Sequence, residues 1–360
     1  MKIIKSVLSF IAFLLASLTI LILLGSLLCK YTNLPQYSLI QIFGYVPFFW
    51  ILAVSAVVLL LFILVRKLNI ALSYLGIIIL FVFLLNDFSL KFFRKQIPQQ
   101  TVSYDSLKVI AYNVKYYSFG IEKISGFISE SGYDVVLLSE SVLTPEKLEY
   151  LKKSLPSYTI LSDNGHDLSI LSKYPVLSYK IVELPTYLAS LSSSNDIEKI
   201  KAGGVHRSFV HAVIDVNGTS VNVLSLRLLA GRPKDHTIAE SIKWGKYLLN
   251  AQDEEVAVFI DYLKTLSGPI IFGGDLNVTP NTQVIHKLNL YAEDTYHEKH
   301  MFGTLTFKLS FPTMRLDYLF HSKDVLSKRS EVVKLKTPLS DHFPVMAVFL
   351  IPKTTLQTAK

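Results

Sequence analysis

The sequence predicts a layered α/β domain with largely antiparallel sheets, carried behind three membrane-spanning helices. Three observations lead there. Hydrophobic residues make up 51% of the 360 and charged residues only 18%, below the roughly 25% of ordinary globular chains, and the apolar excess lies before about residue 90. Within that region, three uncharged apolar stretches approach the roughly 20 residues that cross a bilayer as a helix. Beyond it, short β-rich runs alternate with helical periodicity, as in a layered domain. No internal repeat is present.

The apolar stretches cover residues 7–28, 45–65 and 68–85. Charges collect at their ends: Lys2 and Lys5, Lys30, Arg66 with Lys67, then Asp87 and Lys91. Tyr45, Phe48, Phe49 and Trp50 lie where an interfacial aromatic belt belongs. The first stretch is too long for the apolar region of a signal peptide and lacks a small-x-small cleavage site. With the N-terminus in the cytoplasm, Lys2, Lys5, Arg66 and Lys67 all face inward, following the positive-inside bias. An odd number of spans then places the large C-terminal domain outside, although Lys91, Arg94 and Lys95 pull the other way. The single cysteine, Cys29, ends the first stretch and reads as a small apolar residue with no disulfide partner.

The formal charge of +8 does not mark a nucleic-acid surface. Eight of the 36 basic residues and one of the 28 acidic ones precede residue 96, so the remainder holds 28 bases against 27 acids. A domain that neutralises backbone phosphates carries a basic excess of its own.

After a linker over residues 91–104, a folded domain is predicted over 105–352, with a frayed tail at 353–360. Strand character marks residues 107–112, 135–139, 168–172, 209–216, 221–226, 269–272, 315–321 and 345–351. Asn217-Gly218 between two of these signals a hairpin, because both residues tolerate positive φ. Helical periodicity marks residues 120–130, 145–154 and 237–266.

Four segments put acids and amides at strand ends, where a rigid scaffold presents them to a cleft. A buried run delivers Glu140, whose carboxylate can ligate a hard cation or simply be solvated. Gly273-Gly274-Asp275-Leu276-Asn277 allows close backbone approach. Asp275 there can take a proton from water and Asn277 can donate to an oxyanion, the alternative being a capped turn. Asp317 lies inside a strand, a costly place for an unpaired acid. Asp341-His342 precedes an X-Pro turn, and Asp317 holding His342 would resemble the orienting acid of a catalytic triad.

Taken in order, Asn113 in Ala-Tyr-Asn-Val, Glu140, Leu168-Ser-Ile-Leu-Ser-Lys-Tyr-Pro, Gly-Asp-Leu-Asn, Arg-Leu-Asp-Tyr and Ser-Asp-His-Phe-Pro resemble the endonuclease/exonuclease/phosphatase superfamily, in a membrane-anchored bacterial branch. The resemblance covers residues 105–350. It implies two packed mixed β-sheets with helices on both outer sides, a four-layer sandwich. It implies Glu140 as principal ligand of Mg²⁺ or Mn²⁺ with Asn113 and Asp341 nearby, Asp275 activating water, Asn277 on the scissile phosphate, and His342 held by Asp317 on a phosphate oxygen. Oxygen-rich ligands suit Mg²⁺, and a domain without cysteine has no thiolate zinc site. Ser139 stands where Gln is frequent. Arg227 stands where many members carry histidine; it cannot act as an acid near neutral pH but can clamp phosphate, the alternative being an exposed arginine. Arg207 is a second candidate for the phosphate, while Arg232 and Lys234 read as loop residues.

The resulting expectation is a metal-dependent hydrolase of phosphate mono- or diesters. It would be a multi-pass protein of a bacterial cytoplasmic membrane with its catalytic domain extracytoplasmic, acting on lipid or lipid-linked phosphate beside the bilayer. A nuclease is the second expectation, disfavoured by the near-neutral domain. An inactive membrane-tethered binding module is the third, disfavoured because Glu140, Asp275 and His342 are all retained.

Overall fold

Val135-Val136-Leu137-Leu138 shows no polar alternation, which suits a strand covered on both faces. That is its place in the computed structural model, which describes residues 2–32, 39–46, 48–85, 103–162, 167–185, 207–230, 238–301, 303–308 and 313–353. In chain order the strands are β1 (Tyr104–Asn113), β2 (Val135–Ser139), β3 (Thr159–Ser162), β4 (Leu168–Ser172), β5 (Val176–Glu183), β6 (Ser208–Val216), β7 (Thr219–Ser225) and β8 (Ile270–Asp275). They continue with the short β9 (Glu293–Asp294), β10 (Phe307–Lys308) and β11 (Thr313–Met314), then β12 (Asp317–His321), β13 (Leu326–Val332) and β14 (Val345–Pro352).

These strands build two six-stranded sheets, ordered β13-β14-β1-β2-β4-β3 and β5-β6-β7-β8-β12-β9, plus a small β10-β11 ribbon. Each large sheet is antiparallel apart from one parallel pair, β1 with β2 and β7 with β8. The predicted hairpin joins β6 to β7, with Asn217 and Gly218 both at positive φ.

Alternate residues of β1 show how the layers stack. Leu107, Val109 and Ala111 face the other sheet and meet Val210, Val223 and Ile271 in the central core. Ile110 and Tyr112 point outward onto α4 (Ile121–Ser131) and α5 (Pro145–Ser154) through Ile124, Ile128 and Leu151. On the far side, Phe209, Leu224, Phe272 and Phe320 meet Val256 and Phe259 of α6 (Ile238–Lys264) and Leu288 of α7 (Gln283–Asn289). The two mixed sheets flanked by helices are therefore present as the resemblance implied.

The N-terminal region corrects one expectation. Helices α1 (Lys2–Tyr31) and α3 (Leu68–Leu85) are long and apolar enough to cross a membrane, whereas α2 (Phe48–Leu64) is a shorter apolar helix. Its 17 residues rise about 25 Å, short of a hydrocarbon core of about 30 Å. The loss comes at the start of the predicted second span, because residues Leu39–Tyr45 form a 3-10 turn that removes Tyr45 from the helix. Of the most apolar windows of α1 and α3, only 22% and 28% are buried. The predicted linker up to residue 102, with Lys91, Arg94 and Lys95, lies outside the described residues, as does Asp87 before it. So do Arg232, Lys234 and the tail from 354 onward.

Arg315 of the Arg-Leu-Asp-Tyr segment is a structural residue. Its guanidinium donates two parallel bonds to Asp294, at 2.8 and 2.6 Å, and lies over the rings of Tyr296 and Tyr318. Burial opposes ionisation of Asp294, but Arg315 and then His297 hold it below the usual carboxylate range. Asp294 also caps the short α8 (Thr295–Lys299) by accepting from Tyr296 N. Asp294→Ala would strand a buried guanidinium, so it is expected to cost about 3–5 kcal/mol, measurable in denaturant melts against wild type.

Candidate active site

Strand register gathers the polar residues at one rim of the sandwich. Asn113 pairs beside Ser139 in the parallel β1–β2 ladder, so Asn113 and Glu140 leave the first sheet together. In the second sheet, Ser225 lies beside Gly273, and the segments beyond carry Arg227 and Asp275 to the same end. Asp317 is the direct antiparallel partner of Asp275. β14 opens at Val345 opposite Ala111 of β1, which brings in Asp341 and His342 just before it.

The side chains meet there. Asn113 Nδ2 donates to Asp275 Oδ2 at 2.9 Å, across the two sheets. His342 Nδ1 donates to Asp317 Oδ2 at 2.8 Å. Possible ligand atoms of Asp275, Asp317 and His342 all lie within 4.8 Å of one another. Burial works against charge on the His342 imidazole, but Asp317 and Asp275 override it and lift the pKa to about 9. Burial also pushes the Asp275 carboxyl above its ordinary range, aided by Asp317 and opposed by His342 and Arg227. The Phe307 ring lies against His342, with centroids 4.7 Å apart. The backbone of Thr306 and Lys308 bonds Phe343 and Asp341 respectively, fixing the imidazole from the side.

Arg227 is drawn into the carboxylates. Its Nη2 donates to Glu140 Oε1 at 2.6 Å, its Nη1 bonds Asp167, and its Nε stands 3.9 Å from Asp275 Oδ2. Only 8% of the residue is exposed. Asn277 donates from its backbone N to Asp275 Oδ1 at 3.0 Å and from Nδ2 to Leu228 O at 3.1 Å. Arg207 lies one layer behind: it pairs with buried Glu255 at 2.8 Å and donates to the carbonyl of Arg227. Its guanidinium thus supports Arg227 from the rear.

The backbone here is held under strain. Glu140 and Asn277 both have φ of +52°, and Lys115, Tyr116 and Tyr117 follow Asn113 with φ of +46°, +54° and +61°. Non-glycine residues in this region cost roughly 1–3 kcal/mol each and gather at functional sites. Gly274, at φ +140°, is required for another reason: a Cβ there would stand 2.2 Å from Leu226 O. Ser139 fits beside it, its Oγ accepting from Asp275 N at 3.3 Å.

Three contributors were not read from the sequence. Asp167 reaches Arg227 because Leu168 pairs with Ser139 across β2–β4, a register the sequence does not state. Lys115 pairs with Asp341 at 2.8 Å. Thr306 donates nothing conspicuous to the sequence, yet its Oγ1 accepts from the backbone N of Leu316 and Asp317.

The charges fit a divalent cation. Among the described residues, five carboxylates (Glu140, Asp167, Asp275, Asp317, Asp341) face Arg227, Lys115 and the His342 imidazolium, a formal excess of two negative charges. Asp317 Oδ1 is buried with no hydrogen-bond partner among the described residues. The donor set is almost wholly oxygen, as hard cations prefer.

The fold recurs in solved structures. A humanized D. rerio TDP2 matches with a TM-score of 0.50 at 18% identity, over 68% of this chain and 98% of that one. An endonuclease/exonuclease/phosphatase from Bacteroides vulgatus matches at 0.52 and 15%, over 69% and 99%. D. rerio TDP2 complexed with a single-strand DNA product matches at 0.51 and 16%, over 68% and 99%. At these identities the likeness is one of fold. No curated protein matches the chain. The sequence profile of the Endonuclease/Exonuclease/phosphatase family matches residues 110–342, spanning every residue of the site from Asn113 to His342, and the chain belongs to that family of hydrolases acting on phosphate ester bonds.

Proposed function

We propose that this protein hydrolyses a phosphate mono- or diester at a membrane surface by in-line attack of water, assisted by Mg²⁺ or Mn²⁺. The observation that carries this reading is the buried Asp317–His342 pair facing Asp275 at the rim where both sheets end.

Each residue takes a role that its surroundings support. Asp275, buried and raised in pKa, orients the attacking water and accepts its proton. Asn277 donates a hydrogen bond to a non-bridging phosphate oxygen. His342 keeps its proton near neutral pH because Asp317 holds Nδ1, leaving Nε2–H to stabilise phosphate oxygen or protonate the leaving group. Glu140, with Asn113 and Asp341, would hold the cation, and Arg227 adds fixed positive charge next to Glu140. When bound there, the cation neutralises phosphate charge and orients the ester for displacement.

Membrane attachment is supported by α1 and α3, whose apolar side chains stand exposed at Ile3, Phe10, Leu14, Leu72 and Leu80. A core helix of a soluble protein would hide that surface. Lys2 and Lys5 favour a cytoplasmic N-terminus, and an extracytoplasmic catalytic domain would further require the short α2 to cross as well. A substrate with a lipid or polyprenyl tail would then share the plane of the anchor.

The test uses the full chain in nanodiscs with p-nitrophenyl phosphate, bis-p-nitrophenyl phosphate, phospholipids, polyprenyl phosphates and plasmid DNA. Turnover is expected with Mg²⁺, abolished by EDTA, and faster on a lipid-borne phosphate than on DNA. Turnover that persists in EDTA, or none on any substrate, defeats the reading; preferential nicking of plasmid makes the protein a nuclease.

A further inference from the structure

The 3-10 turn between α1 and α2 is bolted to the anchor on one side. Ser26 Oγ donates to Phe43 O at 2.8 Å and Cys29 Sγ to Ile40 O at 3.0 Å. Its other side presses against the chain just past Asn277. Thr279 Oγ1 donates to Gly44 O, and Gln283 Nε2 donates to Thr32 O at the end of α1. Gly44 comes so close that a Cβ would lie 3.0 Å from Asn281 O and 3.3 Å from Cys29 Cβ.

The next residue reaches further in. Tyr45 OH donates to Oε1 of Gln252, a wholly buried residue on α6. An amide has two similar ends, and a donor fixed on one decides where the other points. With Oε1 held by Tyr45, the Gln252 NH₂ donates to Leu229 O at 2.7 Å and to Asn277 O at 3.3 Å. Those two carbonyls belong to the segments that follow β7 and β8. The first of these segments bears Arg227, and the second bears Asn277 and leaves β8 directly after Asp275. One amide therefore sets the spacing of the two catalytic segments, and the anchor sets the amide.

We infer that Tyr45 is a positioning residue: the membrane anchor, acting through Gln252, holds Asn277 and the Arg227 segment in register for catalysis. This rests on the phosphoesterase reading, in which Asn277 touches the phosphate. The anchor is then a working part of the active site as well as a tether.

The test is a double-mutant cycle on the full chain in nanodiscs, with bis-p-nitrophenyl phosphate and Mg²⁺. Tyr45→Phe keeps the ring and removes one hydroxyl. It is expected to lower kcat about tenfold with KM changed less than about twofold, since small displacements of reacting groups are costly in rate. Gln252→Met is expected to do the same, and the double variant to fall no further than Gln252→Met alone. A merely structural role would lower the melting temperature and leave kcat per folded molecule intact. Wild-type kcat in Tyr45→Phe, or additive losses in the double variant, overturns the inference. If Tyr45→Phe gives no cooperative melt, Thr279→Val, which cuts the neighbouring link to Gly44, is read by the same two outcomes. A wild-type chain that turns over no phosphate ester defeats the phosphoesterase reading, and the inference falls with it. An active wild type indifferent to Tyr45→Phe defeats the positioning role alone.

Discussion

Glutamine in place of His342 is expected to lower turnover by roughly 10³-fold, the usual weight of a positioned general acid, with little change in the melt. Glutamine can still donate to Asp317, so the buried carboxylate, 1% exposed, keeps a partner. It has no proton to give at neutral pH, whereas the imidazole, lifted to about 9 by Asp317 and Asp275 against its burial, does. Alanine at the same position should lose as much activity and also about 3 kcal/mol of stability, because it leaves Asp317 buried and unpaired. Stopped-time assays with Mg²⁺ and parallel thermal melts separate the two effects. Substantial turnover in His342→Gln would remove the imidazole from the chemistry.

Arg227→Met is expected to show its largest effect in stability, and most strongly when divalent ions are absent. The guanidinium bonds Glu140 and Asp167 and stands near Asp275, with burial opposing its charge and the three carboxylates restoring it. Methionine fills similar length and supplies no charge, so in EDTA the crowded acids should cost about 3 kcal/mol. Saturating Mg²⁺ should return part of that by binding the native state alone. Turnover should fall about 10²-fold, with Arg227→Lys only a partial rescue because a point charge cannot span two carboxylates. A variant that melts like wild type in EDTA would show that Arg227 is not the counter-charge of this cluster.

Much of the scaffold was legible because its central strands are covered on both sides. β1, β2, β4, β6 and β7 are buried over most of their length, and apart from the first three residues of β1 they were read to within two residues. β3, β5 and β13 were not read: they lie at sheet edges, and a strand paired on one side alone carries polar residues that blur its pattern. Most of β5 is exposed. The second apolar stretch was read as a span because composition cannot show that Leu39–Tyr45 coils into a tighter turn.

The site divides along the same physical line. Asp275, Asp317 and His342 could be picked out because acids beside buried runs need a reason to be there, and the structure brings these three together. Asp167 was invisible. It lies 60 residues from Arg227 in sequence, and only the β2–β4 register makes them neighbours. Arg227 itself was read as a phosphate contact, since nothing local reveals the carboxylates around it. Arg207 was read as a second such contact, and its partner Glu255 lies on a helix 48 residues away.

The bonds that Asp275 accepts from Asn113 and donates to Ser139 stitch one leaf of the sandwich to the other at the candidate site. The distance between Asp275 and these neighbours is therefore the spacing of the two leaves, maintained by the whole apolar filling between them. Asn113 and Glu140 leave one leaf while Asp275 and Asp317 belong to the other. Heating should leave rate per molecule intact until the leaves part, and activity should then vanish together with cooperative structure.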